Sequence, residues 1–326
     1  MGEKLARNLL HVTSDPSDLG DGGFWAVSTT FEGEEIFARF GEVVDANFPE
    51  PLSPWLPLIG QWKTSQSRAE YISYVESIRE RVAQGWVYQV TACREITNDL
   101  GVRNLDGLFS KILLNNPAPY ASYLRLKDLE IASASPELFI LRDGQRIKSS
   151  PIKGTQPRSV DIHAFGKKDE SENIMIVDLM RNDFGRICVA GSVDATDLLR
   201  RELHPGLEHL VSDVEGTLLP QISWKEIFAA ASPPGSVSGA PKSSALLTIA
   251  RHEKQSRGPY CGILGWIHGD QAQLSVAIRT FWHRGDDVLR FGTGAGITWG
   301  SNAADEWEET QLKARTLIEI AGGSIE

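Results

Sequence analysis

The chain has 326 residues, of which 41% are hydrophobic and 23% charged, a globular composition long enough to bury about three quarters of its unfolded surface without a disulfide or metal staple. Its 33 basic and 43 acidic residues give a net charge of −10, which argues against nonspecific nucleic-acid binding but leaves room for a local basic pocket. Three scattered cysteines (Cys93, Cys188, Cys261) with no CxxC spacing speak against a disulfide framework and for a reducing compartment.

No segment approaches the ~18 apolar residues of a membrane span, and MGEKLARNLL lacks a signal-peptide core. The expectation is a soluble, cytoplasmic protein with no membrane and no nucleic-acid partner. Residues 1–62 are rich in Gly, Pro and acid, with strand-like runs at Phe24–Thr30 and Glu35–Phe40 and a connector crowded by Pro49, Pro51, Pro54 and Pro57. The expected division is a short N-terminal strand region over 1–62 packing on a catalytic domain over 63–326.

In SRAEYISYVESIRERVAQG, Tyr71, Ile72, Val75, Ile78 and Val82 form a helical stripe. Ser67 and Glu70 supply a capping box, and Gly85 ends the helix. Strands are expected at Val87–Thr91, Tyr120–Leu126, Leu129–Ala134 and Leu138–Arg142, the last turning at Asp143-Gly144 into Gln145–Ser149. Helices are expected near Glu172–Met180, Trp224–Ala231, Pro241–Lys254 and Asn302–Ala321, and late strands at Gly262–His268, Gln273–Trp282 and Val288–Gly292. Hairpins punctuated by separate helices predict an α+β fold of antiparallel sheets, not alternating βαβ units.

Two glycine-rich runs imitate nucleotide sites. VLRFGTGAGITWG has Ile297 where a dinucleotide fingerprint needs its last glycine. Read as a loop around Gly292, Gly294 and Gly296, it exposes adjacent backbone N–H groups to a carboxylate. PPGSVSGAPKSS lacks the contiguous Gly-Lys-Ser of a phosphate loop; Pro241 suits a first helical turn, and Lys242 by itself reads as a surface lysine.

The carboxylates are more suggestive. Glu306, Glu309 and Lys313 share a helix face, which alone reads as an exposed Glu–Lys pair. Asp169 and Glu172 repeat the i, i+3 spacing, and two such pairs facing each other would hold one Mg²⁺. Spacing does not establish that they face. Lys153, in SSPIKGTQPR, is the kind of lysine that is solvated unless burial or nearby cations lower its pKa. If 138–142 and 145–149 pair, Glu137 and Lys153 flank the open end of the hairpin, an available acid–amine pair. His209 by itself reads as a buried structural histidine, and no Ser-His-Asp or Cys-His arrangement is evident.

Taken together, ASPELFI, PIKGTQPR, ENIMIVDLMRNDFGR, HLVSDVEGTL, PPGSVSGAPKSSAL, YCGILGW, IRT, GAGI and EETQLKA resemble, in this order, the motifs of the chorismate-utilising enzymes. The resemblance spans roughly residues 67–321. It implies one large antiparallel α+β domain around a Mg²⁺–chorismate site. Glu172 and Glu309 would be direct Mg²⁺ ligands, with Asp169 and Glu306 behind metal-bound waters. Arg279, Lys313 and the backbone of Gly294, Ala295 and Gly296 would anchor the substrate's carboxylates; Gln89, Thr155 and Lys242 are further candidate substrate contacts. His209 resembles the histidine beside the reacting ring.

The resemblance is closest to aminodeoxychorismate synthase component I. Lys153 stands where anthranilate synthases usually carry alanine, and implies a covalent lysine adduct formed as Glu137 protonates the leaving C4 hydroxyl. Gln89 stands where the water-using isochorismate and salicylate synthases carry a lysine base, consistent with ammonia as nucleophile. The chain carries no glutaminase triad, so a glutamine amidotransferase subunit is the expected ammonia source. Two motifs depart from the family, Tyr88-Gln89-Val90-Thr91 and Gly300-Ser301-Asn302-Ala303, and no tryptophan-binding motif is recognisable. The alternatives are anthranilate synthase component I and a chorismate-binding protein without turnover.

Overall fold

The computed structural model describes residues 1–101, 103–157, 165–204 and 207–325. Strands β1 (Lys4–Thr13), β2 (Phe24–Thr29), β3 (Glu35–Asp45), β4 (Leu58–Gln61) and β5 (Lys63–Thr64) lead to helix α1 (Arg68–Ala83). Next come β6 (Gln89–Asp99), α2 (Asp106–Asn115), β7 (Ser122–Arg125), β8 (Glu130–Ser133), β9 (Leu138–Asp143), β10 (Arg146–Ser150) and β11 (Ile152–Pro157). Helix α3 (Lys167–Gly185) precedes β12 (Asp194–His204), β13 (Leu207–Thr217), α4 (Trp224–Ala231), α5 (Gly235–Ser238), β14 (Gly239–Ala240) and α6 (Lys242–His252). The last elements are β15 (Ile263–His268), β16 (Gln271–Val276), β17 (Thr280–His283), β18 (Val288–Ile297), α7 (Ala303–Ala321) and β19 (Gly322–Ser324).

Among the described residues, one sheet of ten strands runs β1-β3-β2-β15-β16-β9-β10-β13-β11, with β12 on β13. A second, of seven, runs β14-β6-β18-β17-β8-β7, with β5 on β6. Their ladders are antiparallel; the small β4–β19 pair is parallel. Strand β2 pairs along β15 from Phe24↔His268 to Ser28↔Leu264, so the N-terminal strands continue the larger sheet.

One hydrophobic core draws Val27, Phe139 and Leu264 from the larger sheet, Ala92 and Ala295 from the smaller, and Val75, Val177 and Phe228 from α1, α3 and α4. A second lies under α2 and α7, where Leu108 and Leu317 pack with Ile96, Phe281 and Phe291. Helix α1 begins as expected, with Ser67 and Glu70 exchanging capping-box bonds. No helix among the described residues is long and apolar enough to cross a membrane.

Two differences from expectation shape the site. The strand expected over Gln273–Trp282 is divided, because β16 belongs to the larger sheet and β17 to the smaller. The strand expected to end at Gly292 runs on to Ile297, so Gly292, Gly294 and Gly296 lie in a strand and not in a loop. Residues 194–204 include the helix-favouring run DLLRRELH, yet pairing with β13 holds them extended.

Candidate active site

The chain passes between the sheets at two adjacent places. Residues 134–137 cross from β8 to β9, and residues 277–279 cross from β16 to β17. The crossings are laced together, Val276 N–H donating to Glu137 O at 3.1 Å and Ala134 N–H to Arg279 O at 3.0 Å. Each places a charged side chain at the seam. Arg279 does so at φ +53°, a left-handed conformation that costs a non-glycine residue free energy and clusters at functional sites.

Glu137 and Arg279 line one cavity of about 140 Å³ together with Lys153, His209, Glu172 and Lys313. Glu137 is 3% exposed. Burial pushes its carboxyl up to about 7, although bonds from the Ser236 hydroxyl and the Ile152 N–H and the charge of Lys153 pull the other way. Strand β11 brings Lys153 in, and its Nζ donates to Ser236 O at 2.7 Å. Desolvation lowers the Lys153 ammonium below the ordinary lysine value, against the pull of Glu172.

His209 sits on β13 opposite Thr155 of β11. Its Nδ1 lies 2.9 Å from Thr155 Oγ1, and its Nε2 lies 3.2 Å from Arg279 Nη2. A guanidinium can only donate, so Nε2 is the acceptor and the ring proton sits on Nδ1. Burial lowers Arg279 to about 10, still a cation at neutral pH.

Strand β18 forms the floor. It pairs with β17 only at Phe281↔Phe291 and Trp282↔Arg290, so beyond Phe291 its ladder runs to β6 alone. Gly294 O accepts from Lys313 Nζ at 3.1 Å. At Gly296 a Cβ would sit 2.5 Å from Gln89 Nε2, 3.3 Å from Lys153 Nζ and 3.4 Å from Glu172 Oε2. Three candidate side chains therefore approach that one glycine, Gln89 from outside the cavity's lining. Gln89 is fully buried with both amide atoms unpartnered. Ala295 is not a lining residue: strand alternation turns its side chain away from the cavity, into the hydrophobic core.

Asp169 and Glu172 from α3 and Glu309 from α7 line the same cavity; Glu306 of α7 is not among its lining residues. Lys168 Nζ bridges the helices, 2.8 Å from Glu306 Oε1 and 3.8 Å from Glu172 Oε1. Glu309 pairs with Lys313 at 2.6 Å, and Asp169 Oδ2 accepts from Gly166 N–H at 3.2 Å at the start of α3. Burial raises Asp169 and Glu172 above the usual carboxylate range. Glu306 Oε2 is buried without a partner. As they stand, no three ligating side chains among the described residues close on a common metal position; the ammonium groups of Lys168 and Lys313 occupy Glu172, Glu306 and Glu309 instead. The donor set is all carboxylate oxygen, suited to a hard cation.

Lys242 is neither a surface lysine nor a cavity residue. Its Nζ lies 2.7 Å from Asp183 Oδ2 and donates to Ala231 O at 3.1 Å, neutralising a buried carboxylate and tying α6 to α3. Sequence reasoning missed Ser236 and Lys168. Ser236 belongs to PPGSVSGAPK, a run weighed as a phosphate loop and as a family motif without a role for its serine, and Lys168 lies just ahead of the helix expected near Glu172–Met180.

An arginine and lysines set in a seam between antiparallel sheets, with an acid, an amine and several carboxylates, have the chemistry to take up a small anion. The chain belongs to the family of chorismate binding enzymes, whose sequence profile matches residues 23–319, beginning ahead of the motifs recognised in the sequence. It is 35% identical over 324 residues to an anthranilate synthase component 1 of Haloarcula marismortui, covering 95% of this chain and 62% of the relative. It is 34% identical over 271 residues to aminodeoxychorismate synthase component 1 of Escherichia coli K12, covering 80% of this chain and 59% of the relative. The chain thus spans less than two thirds of these relatives' lengths.

Its fold matches anthranilate synthase component I of Streptococcus pneumoniae with a TM-score of 0.83 at 22% identity, over 97% of this chain and 91% of the other. It also matches MenF, the menaquinone-specific isochorismate synthase of Escherichia coli, with a TM-score of 0.80 at 17% identity, over 98% of this chain and 85% of the other.

Proposed function

We propose that the chain aminates chorismate at C4 to 4-amino-4-deoxychorismate, using ammonia from a separate glutaminase subunit. The observation that carries this reading is Lys153: a partly buried amine in the same cavity as a 3% exposed carboxyl raised to about 7. An enzyme that adds its nucleophile directly has no need of that amine.

Glu172 and Glu309, with Asp169 and Glu306 behind them, would hold Mg²⁺; the all-oxygen donor set and the orphaned Glu306 Oε2 fit that ion. When bound, it neutralises the ring carboxylate of the substrate. Arg279, Lys313 and the backbone of Gly294 and Gly296 anchor the substrate's carboxylates, and His209, backed by Thr155, accepts from Arg279 and holds it in place. The Lys153 amine attacks C2 while Glu137 gives its proton to the departing C4 hydroxyl, which leaves as water. Ammonia then attacks C4, and the bond to Lys153 breaks. Two allylic steps replace one difficult substitution. Gln89, beside Gly296, puts no base next to the incoming nucleophile, and neutral ammonia needs none.

Anthranilate synthesis is the second reading, favoured by the names of several relatives at 31–35% identity. The test is to incubate the purified chain and its Lys153→Ala variant with chorismate, MgCl₂ and an ammonium salt, and to identify the product by chromatography and mass. A 4-amino product that loses pyruvate only when a lyase is added, and that the variant fails to make, supports the proposal. Anthranilate formed without a lyase favours the second reading. Chorismate left unchanged even with a glutaminase present rules out both.

A further inference from the structure

Glu137 and Lys153 share one cavity, yet among the described residues they form no direct ion pair; the bonding partner common to both is Ser236. A direct pair would fix the acid as carboxylate and the amine as ammonium, the two forms that can neither donate a proton nor attack. We propose that Ser236 is the positioning residue that holds this acid and this amine apart while orienting each, its hydroxyl on the Glu137 carboxyl and its carbonyl on Lys153 Nζ at 2.7 Å. This inference rests on the acid-and-amine reading of the site given above.

The two halves of Ser236 suit the two tasks. A carbonyl only accepts, so it holds an N–H of Lys153 whether the nitrogen is ammonium or free amine, and it takes no proton from it. A hydroxyl donates to a carboxylate and accepts from a carboxylic acid by rotating about one bond. Glu137 therefore releases a proton to the leaving hydroxyl and later regains one without being left unpaired in a buried site.

Ser236 is itself held firmly. It is 6% exposed, and its carbonyl also accepts from Thr91 Oγ1 at 3.4 Å. The next carbonyl, Val237 O, accepts from the buried Arg257 at 2.8 Å, and Ser238 Oγ donates to Pro234 O at 2.9 Å. The four-residue helix α5 is thereby pinned on both sides of the contact. Of the charged groups around Glu137, Lys153 on β11 and Lys313 on α7 are the cations that act on it; Arg279 and His209 line the same cavity.

The test compares Ser236→Ala, which deletes the hydroxyl and keeps the carbonyl, with Ser236→Thr, which keeps both. Ser236→Ala is expected to lower kcat by about 10²-fold, the cost of a misplaced catalytic group, with KM for chorismate within about twofold. Removing a donor from the carboxylate is also expected to move the alkaline limb of kcat/KM upward by about one pH unit. Ser236→Thr restores both. Infrared titration of the Glu137 carboxyl in the substrate-free chain, identified against Glu137→Gln, reads the same shift without turnover. If Ser236→Ala does not fold, Ser236→Cys, close in volume and a weaker donor, takes its place.

Equal changes in kcat and KM, an unmoved carboxyl titration, or failure of Ser236→Thr to rescue overturns the proposal. Formation of anthranilate by the unaltered chain sinks the amination reading instead. The infrared titration still decides on Ser236 in that case.

Discussion

Arg279 donates a guanidinium N–H to His209 Nε2 across 3.2 Å, and that bond decides which of the two neighbouring candidates supplies the proton. With the ring proton on Nδ1, facing Thr155 Oγ1 at 2.9 Å, His209 has nothing to donate on its cavity-facing edge. On the proposed reading its work is to aim Arg279. His209→Gln is therefore expected to raise KM for chorismate roughly tenfold, the worth of one loosened charge-assisted contact, while leaving the alkaline limb of the rate profile in place. Glu137→Gln should abolish that limb together with most of the activity. Steady-state rates from acid to alkaline pH check this. A limb lost in His209→Gln would return the donor role to the histidine.

The pH dependence of stability follows from the same carboxyl. Glu137 is raised from 4.5 in the unfolded chain to about 7 in the fold, first by burial. The folded state therefore disfavours the ionised form. Below about pH 4.5 the group costs nothing; as pH rises from there to about 7, up to about 3 kcal/mol of stability is lost and stays lost. Glu137→Gln carries no such charge. It is expected to melt above the unaltered chain at pH 8 and to match it near pH 4.5, by thermal unfolding followed at both values. A variant less stable than the parent at pH 8 contradicts a raised carboxyl.

Lys242 offers a contrast, because its correction moves it from substrate to scaffold. Its side chain is 17% exposed and that of Asp183 5%, with 2.7 Å between the charged atoms. Removing one partner of such a pair strands the other charge and costs roughly 3–5 kcal/mol. Lys242→Met should thus unfold at lower denaturant concentration with KM for chorismate unchanged, and Asp183→Asn in the same chain should recover part of the loss. A raised KM at full stability would put Lys242 back in the substrate site.

The sequence and the structure agree where one local rule governs a segment. The Ser67–Glu70 capping box and the Asp143-Gly144 hairpin were legible because each depends on a few adjacent residues. The sheet crossing at 277–279 was not, since Gln273–Trp282 is continuously strand-like and only tertiary pairing says that its two halves belong to different sheets. Helix α2 escaped for want of a signal: Leu105 at its N-cap makes no side-chain bond, and Gly107 weakens the pattern. In the site, the carboxylate pairs were legible from helical spacing, but their meeting depends on how α3 and α7 pack. Ser236 was illegible because half of its contribution is a backbone carbonyl, which no side-chain pattern encodes.

The carboxylate cluster makes its own prediction. Glu306 carries a buried, unpartnered oxygen, with Lys168 on its other oxygen at 2.8 Å. If Mg²⁺ is the cation this cluster serves, Glu306→Gln should weaken Mg²⁺ binding by about 10–100-fold, the usual effect of losing a supporting ligand. Calorimetric titration without substrate measures this directly, and chelation of the unaltered chain should stop chorismate consumption reversibly. Equal Mg²⁺ affinity in the two chains would remove Glu306 from the ion's surroundings.

Gly296 is the most economical place to break the site without touching a charged group. A methyl there would lie 2.5 Å from Gln89 Nε2, 3.3 Å from Lys153 Nζ and 3.4 Å from Glu172 Oε2. The backbone itself is no obstacle, since Gly296 is paired with Thr91 in an ordinary ladder. The cost is overpacking, about 1–3 kcal/mol, and it falls mainly on Gln89 and less on Lys153, Glu172 being left in ordinary contact. Gly296→Ala is therefore expected to fold with a modestly lowered melting temperature and to lose activity far out of proportion, because the methyl displaces Gln89 and presses on the Lys153 amine that Ser236 O holds at 2.7 Å. Gln89→Ala, which vacates the tightest contact, should recover part of that activity in the double variant. Comparing kcat for the single and double variants checks it: activity in Gly296→Ala at the level of the unaltered chain would show that the three side chains do not depend on this close approach.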